Sequence, residues 1–266
     1  MHTFASVAAF SRHLALSPDA ASVEEEARLL SALISATTLI ESATARTFTP
    51  ILATLHHDCP RYERQELFLR DDVLELHSLT NGDGRTLDVG RVVVLYHSVL
   101  HLLGDQRFDY LDSPHAAIAV RGLWGWHDAP ERMWRSSGDS LSVALDAAPS
   151  ASLSEASVHQ VNASSADGLP RFQVGQLLRL EDEFAVVTQI NSAQNRLSLL
   201  RGLRGTSASA HPSATPIAIY QPPEGIVRLC LRLATWLYRE PQALDGALPP
   251  ASLAQALQHY VRQRVA

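Results

Sequence analysis

At 266 residues the chain sits near the length where a single core stops growing, so one domain with a large insertion, or two small domains, is expected. With 46% hydrophobic and 19% charged residues it reads as globular, and a formal net charge of -6 at pH 7 excludes the clustered cations that hold free duplex DNA. Two cysteines, Cys59 and Cys230, are too few for a disulfide framework or a cysteine-based zinc site.

The first ten residues lack a basic start and a long apolar run, and no later stretch reaches bilayer length, so a soluble chain used without export or membrane contact is expected. A short helix is predicted over Phe4 to Leu16, stopped by Ser17-Pro18-Asp19. The next helix is clearer. Ser22 and Glu25 have capping-box spacing, and Glu24, Glu25 and Glu26 place negative charge at the positive end of the helix dipole. Leu29, Leu33, Ala36, Ile40 and Ala43 recur at helical spacing, with Leu30, Ile34 and Thr37 widening the stripe, and the run closes near Arg46.

From Arg64 the pattern turns extended: Glu66 to Leu69, Val73 to Leu76 and Arg91 to Tyr96, with Asn81-Gly-Asp-Gly84 as a hairpin turn. Further strands are predicted at Ala116 to Trp126, at Ser140 to Leu145 and through the alternating residues 175–206, with turns at Glu181-Asp182 and Asn191 to Asn195. Pro222-Pro223 ends the β region. Ile226, Leu229, Cys230, Leu233 and Leu237 then mark a long helix, and Ser252 is placed to cap a last helix running to Ala266. The fold class expected is α+β, a helical bundle of N-terminal and C-terminal helices with an inserted antiparallel β barrel or sandwich. Its parts are residues 1–62, 63–222 and 223–266.

Twelve histidines invite a metal or catalytic reading. His56-His57-Asp58-Cys59 offers four ligand types in a row, but adjacent side chains converge poorly on one ion, so a loop is expected there. His97 and His101 lack the glutamate of a His-Glu-x-x-His helix. His211 follows Gly205-Thr206 in a turn-rich stretch, suits bracing a hairpin, and has no serine elbow or fixed acid to make it a general base. The sequence therefore calls for no enzyme, cofactor or metal. Trp124, Trp126 and Trp134 fit either a sugar-stacking surface or a β core, with Trp124 and Trp126 on one strand face in the second case.

The short helix, the capped helix ending Ile40-Glu-Ser-Ala-Thr-Ala-Arg-Thr-Phe48 and the segment Leu76-His-Ser-Leu-Thr-Asn-Gly-Asp-Gly84 resemble the head–tail connector proteins of tailed bacteriophages. The second half resembles the longer members, through Gly122-Leu-Trp-Gly-Trp126, Gly175-Gln-Leu-Leu-Arg-Leu-Glu-Asp-Glu183, Arg201-Gly-Leu-Arg-Gly-Thr206, His211 and the returning helix Ile226 to Tyr238. The family usually carries glycine where Ala45 stands. It offers no catalytic residue to carry over.

The resemblance implies a structural virion protein at the neck, assembled in the host cytoplasm as a ring, usually twelvefold, beneath the portal protein. Such an adaptor receives a stopper or tail-terminator component, has the capsid as a further neighbour, and lets genomic double-stranded DNA pass through without sequence-specific binding. Its C-terminal tail engages the portal, which points to Leu253, Leu257, Tyr260, Arg262 and Arg264 as docking residues; a helix packed on its own bundle is the alternative. Glu24, Glu25, Glu26 and Glu41 become channel-facing candidates, although acids stabilise any helix start. The alternative function is a tail-associated carbohydrate- or receptor-binding module.

Overall fold

A computed structural model of the chain describes residues 2–16, 22–164, 170–240 and 249–262. In chain order it begins with α1 (Val7–His13), α2 (Val23–Thr44), β1 (Ile51–His57), β2 (Glu66–Phe68), β3 (Val73–Thr80) and β4 (Thr86–Leu87). Next come β5 (Val92–Leu95), β6 (Val99–Leu102), β7 (Ile118–Trp124), β8 (Trp134–Ser140), β9 (Leu153–Ser157) and β10 (Leu177–Leu180). β11 (Glu183–Asn191), β12 (Arg196–Leu200), β13 (Pro216–Tyr220), α3 (Glu224–Arg239) and α4 (Ala251–Gln258) complete it. Two compact units result, one from the residues up to Thr44 with Glu131–Val261, the other from Ala45–Pro130 with Arg262.

This overturns the expected helical bundle with an inserted barrel or sandwich. Among the described residues the chain is mostly β, thirteen strands against four α-helices, in three open antiparallel sheets. The sequence pattern located α2 and α3 but overweighted them, because two long amphipathic stripes stand out more than many short strands.

In the first unit, Ser22 Oγ accepts the Glu25 N–H at 3.2 Å, so the predicted cap spacing is used. Leu29, Leu33, Ala36 and Ile40 are fully buried, whereas Ala43 is exposed and Thr44 takes the buried place. The facing stripe on α3 is Ile226, Leu229, Cys230, Leu233 and Leu237. Each such aliphatic side chain contributes about 1.5–3 kcal/mol on burial. Helix α1 is shorter than predicted because Ser6 caps it, its Oγ accepting the Ala9 N–H at 3.1 Å. The predicted stop at Ser17-Pro18-Asp19 lies outside the described residues. Helix α4 starts after Pro250 with Ser252 inside it, so Ser252 is no cap, and it ends at Gln258, short of the predicted Ala266.

The same unit holds the six-stranded sheet, in the order β8-β13-β10-β11-β12-β9. Leu178, Leu180, Ala185, Val187, Leu197, Leu199, Ile217 and Ile219 fill its core. The edge strands β8 and β9 are followed by a single bridge, Leu141 to Val158, and not by a ladder, so the sheet is no closed barrel. Beyond Ser140 the predicted strand is reduced to that bridge and another from Leu145 to His211.

The second unit contains a four-stranded sheet, β1-β7-β3-β4, and a three-stranded one, β2-β6-β5. Gly122 in β7 lies beneath the Glu75 carbonyl, where a Cβ would collide with backbone, so only glycine fits that close approach. The predicted Asn81–Gly84 turn is present, with the Asn81 N–H donating to Arg85 O at 2.7 Å and Gly84 at φ +84°. The loop expected at His56–His57 is instead the end of β1, in register with Ala119 and Ile118.

Candidate functional site: an open apolar sheet face

In the β2-β6-β5 sheet, Val92 and Val94 pair with Leu102 and Leu100; Leu100, Leu102 and Val92 reach the core, whereas Val94 is 38% exposed. Alternation then turns Val93 and Leu95 outward, beside His101 and Val99, with Phe68 paired to Val99 from the other side. Phe68 is 53% exposed, Val93 39% and Leu95 37%; the last two lie on β5, one edge of the sheet, and Phe68 on β2, the other edge, so β5 is an apolar strip exposed from Val93 to Leu95. Lysine, proline or a bulge protects many such edges; β5 has none of these. The strip ends at Tyr96, 89% exposed, in a two-residue turn where Tyr96 and His97 both hold positive φ, 51° and 59°. The one polar pair on this face is His101 Nδ1 with Glu66 Oε1, at 3.2 Å.

A second cluster lies wholly inside the first unit. Glu183 opens β11, and its Oε1 accepts from Arg201 Nε at 2.9 Å and the Gly202 N–H at 3.1 Å. Oε2 accepts from Arg201 Nη2 at 2.7 Å and the Ser209 N–H at 3.0 Å, and lies 2.8 Å from His211 Nε2. The other ring nitrogen of His211 sits 2.7 Å from Glu181 Oε2, and Arg201 also donates to the Asp146 and Ser209 carbonyls. Burial pushes the Glu183 carboxyl up, but the Arg201 and His211 hydrogen bonds, the Arg201 charge and the Gly202 N–H outweigh it and hold the group below its ordinary range. The expectation that His211 has no fixed acid is therefore wrong: two carboxylates flank it. Strand alternation gave no signal for it, because Glu181 sits in the turn at φ 52° while Glu183 opens β11, and only the folded turn brings both acids to His211. With Glu183, Arg201 and His211 buried, no substrate reaches them, and the cluster acts as a clasp on the 201–211 loop.

The sequence-predicted site residues are scattered. Leu253 and Leu257 are buried in α4, which packs on α2 and α3, and the Tyr260 hydroxyl occupies the space a Gly225 Cβ would need. Arg262 belongs to the second unit, where Nη2 donates to Leu69 O at 2.9 Å and the guanidinium lies 3.6 Å from Asp71 and 3.8 Å from Asp72. Arg264 lies outside the described residues. Glu24 and Glu26 are exposed, while Glu25 accepts the Tyr238 hydroxyl and pairs with Arg28 at 3.2 Å. Glu41 is half-buried, about 24 Å further along the helix at 1.5 Å per residue, with Arg204 in its field.

The tryptophans are absorbed by packing. Trp124 is buried and donates to Ala53 O at 2.9 Å. Trp126 lies past the end of β7 beyond Gly125, which holds φ +143°, so the two rings do not share a strand face as expected; it meets Phe48 edge-to-face and lies under Arg46. Trp134 packs between Phe184 and Tyr220 with Arg179 over its ring. His57 is buried beside Trp124 with neither ring nitrogen hydrogen-bonded, and burial lowers its pKa to about 4. Among the described residues no group of three histidine, cysteine or acidic side chains is arranged to hold a metal, and no helix is long and apolar enough to cross a membrane. The chain matches no protein-family model, and a search of curated proteins finds no match.

Proposed function

We propose that this protein is a structural subunit of an assembly, and specifically a head-to-tail adaptor that forms a ring beneath a portal, extends its DNA channel and offers a docking surface to a stopper or tail-terminator. The observation that carries the assembly reading is the exposed apolar edge strand β5, with Val93, Val94 and Leu95 running to the exposed Tyr96 at one edge of the β2-β6-β5 sheet. An exposed apolar strand with open backbone groups is a template for pairing with another chain, and in a ring that chain is the neighbouring copy. The finer identity rests on the resemblance of the Ile40–Phe48 and Leu76–Gly84 segments to head–tail connectors. An acidic chain also suits a conduit, since DNA slides more freely past a lumen that releases no counterions. The buried Trp124 and the packed Trp126 and Trp134 weigh against the alternative of a sugar-binding tail module.

Negative-stain microscopy of the purified chain, alone and with portal rings, tests this reading. Rings stacked coaxially on the portal are the expected outcome. A protein that stays monomeric beside portal and instead binds glycans would overturn it.

A further inference from the structure

The N-terminal segment 2–6 is seated by contacts that depend on a neutral histidine. His2 Nδ1 lies 3.3 Å from Gly175 O, so this nitrogen carries the proton and Nε2 holds a lone pair. Nε2 has no hydrogen-bond partner and no open surface. The ring stands edge-on to Phe4 and Tyr220, at centroid distances of 6.1 and 5.8 Å. Behind it Phe4 and Ala5 are buried, and the Phe4 N–H donates to Thr37 Oγ1 at 3.3 Å. The charged groups around the ring are cations: Arg135 of β8 lines the same cavity of about 150 Å³, and Arg204 acts on the imidazole directly. Glu41 acts on Arg204 rather than on the ring, and the polar side chains Gln173, Gln176 and Tyr220 that line the cavity are neutral.

We infer that residues 2–6 form a proton-sensitive latch, in which His2 holds the segment against the 173–177 loop while neutral and releases it when protonated. A second ring proton would leave a buried Nε2–H that has no hydrogen-bond partner as the ring is seated, with Arg135 and Arg204 as the nearby charges. Burial, the largest cause, lowers the His2 pKa from 6.5 to about 4, the Gly175 hydrogen bond opposing it and the Arg204 charge adding to it. Between pH 7 and pH 5 the released form then gains protons that the seated form refuses, which multiplies its population about twentyfold.

Amide hydrogen exchange on the full chain reads this directly, because rare local openings set the protection of the Phe4 N–H. After correction for intrinsic rates, its protection factor is expected to fall about twentyfold from pH 7 to pH 5, while that of Val187 in the sheet core stays constant. His2→Gln and His2→Phe variants, which cannot gain the proton, should show no such fall. Wild-type Phe4 protection independent of pH, an equal fall in both variants, or an equal fall at Val187 would each overturn the latch.

Discussion

Ala45 holds a left-handed backbone, φ 51°, immediately after α2 ends at Thr44, and its side chain is exposed. An L-residue loses about 1–2 kcal/mol in that conformation, and the methyl group gains no packing in return. Ala45→Gly is therefore expected to raise stability by about 1 kcal/mol, less the added freedom of the unfolded chain, seen as a higher urea midpoint with an unchanged slope. The helix ending was legible in the Ala45-Arg-Thr-Phe48 segment. The Glu183 clasp was not legible: Glu181 lies in the turn ahead of β11, outside any strand alternation, and arginine is so seldom buried that nothing in the pattern marked Arg201 as interior. Glu183→Gln should cost about 3–5 kcal/mol, because it leaves Arg201 buried without its counter-charge. The folded Glu183 carboxyl titrates below its ordinary 4.5, so its stabilising share is present above that value and is lost as the pH falls through the folded value. Thermal melts from pH 6 to pH 3 should show the wild type losing more below pH 4.5 than Glu183→Gln does.

Among the elements, strands and helices were read more surely than their arrangement. Capping and periodicity located α2 and α3, and alternation located β10, β11 and β12, since each of these signals is local. Whether a sheet closes depends on shear and twist between strands remote in sequence, such as β8 and β9, so the expected barrel or sandwich had no local warrant. The period could not separate a loop from a strand at His56–His57 either, because hydrogen bonding to β7 decides it. The edge strand β5 illustrates the same limit, for a run of valines reads as core until its neighbours are known. Replacing Val93 and Leu95 by lysine keeps Val92, the β5 residue packed on the core, and adds the charges that protect natural edges. The double variant is expected to melt within about 0.5 kcal/mol of the wild type, as surface changes do. Its light-scattering mass in the presence of portal should be that of a monomer, whereas wild-type association that survives the double substitution would move the interface off this face.

At the scale of the whole molecule, each unit has a core of its own, one around Leu178, Val187 and Ile217, the other around Leu79, Leu100 and Val120. The tryptophans divide between them, Trp134 and Trp236 in the first, Trp124 and Trp126 in the second. Separate cores predict that unfolding is not two-state. A variant with Trp124 and Trp126 changed to phenylalanine reports only the first unit, and its fluorescence transition in urea should differ in midpoint from that of a Trp134→Phe/Trp236→Phe variant. Acid should lower the second unit's transition through His57, which belongs to that unit and whose folded pKa is lowered to about 4 by burial, the largest cause. A depressed histidine gives stability that is complete above its unfolded value of 6.5 and falls as the pH drops toward 4, because only the unfolded chain then binds the proton. One such group limits the slope to about 1.4 kcal/mol per pH unit. Between pH 7 and pH 5 the Trp124 and Trp126 transition should move to lower urea, and His57→Phe should flatten that movement. Glu183→Gln should leave this transition in place while shifting the one seen by Trp134 and Trp236. If either substitution moved both transitions together, the two cores would be unfolding as a single cooperative body.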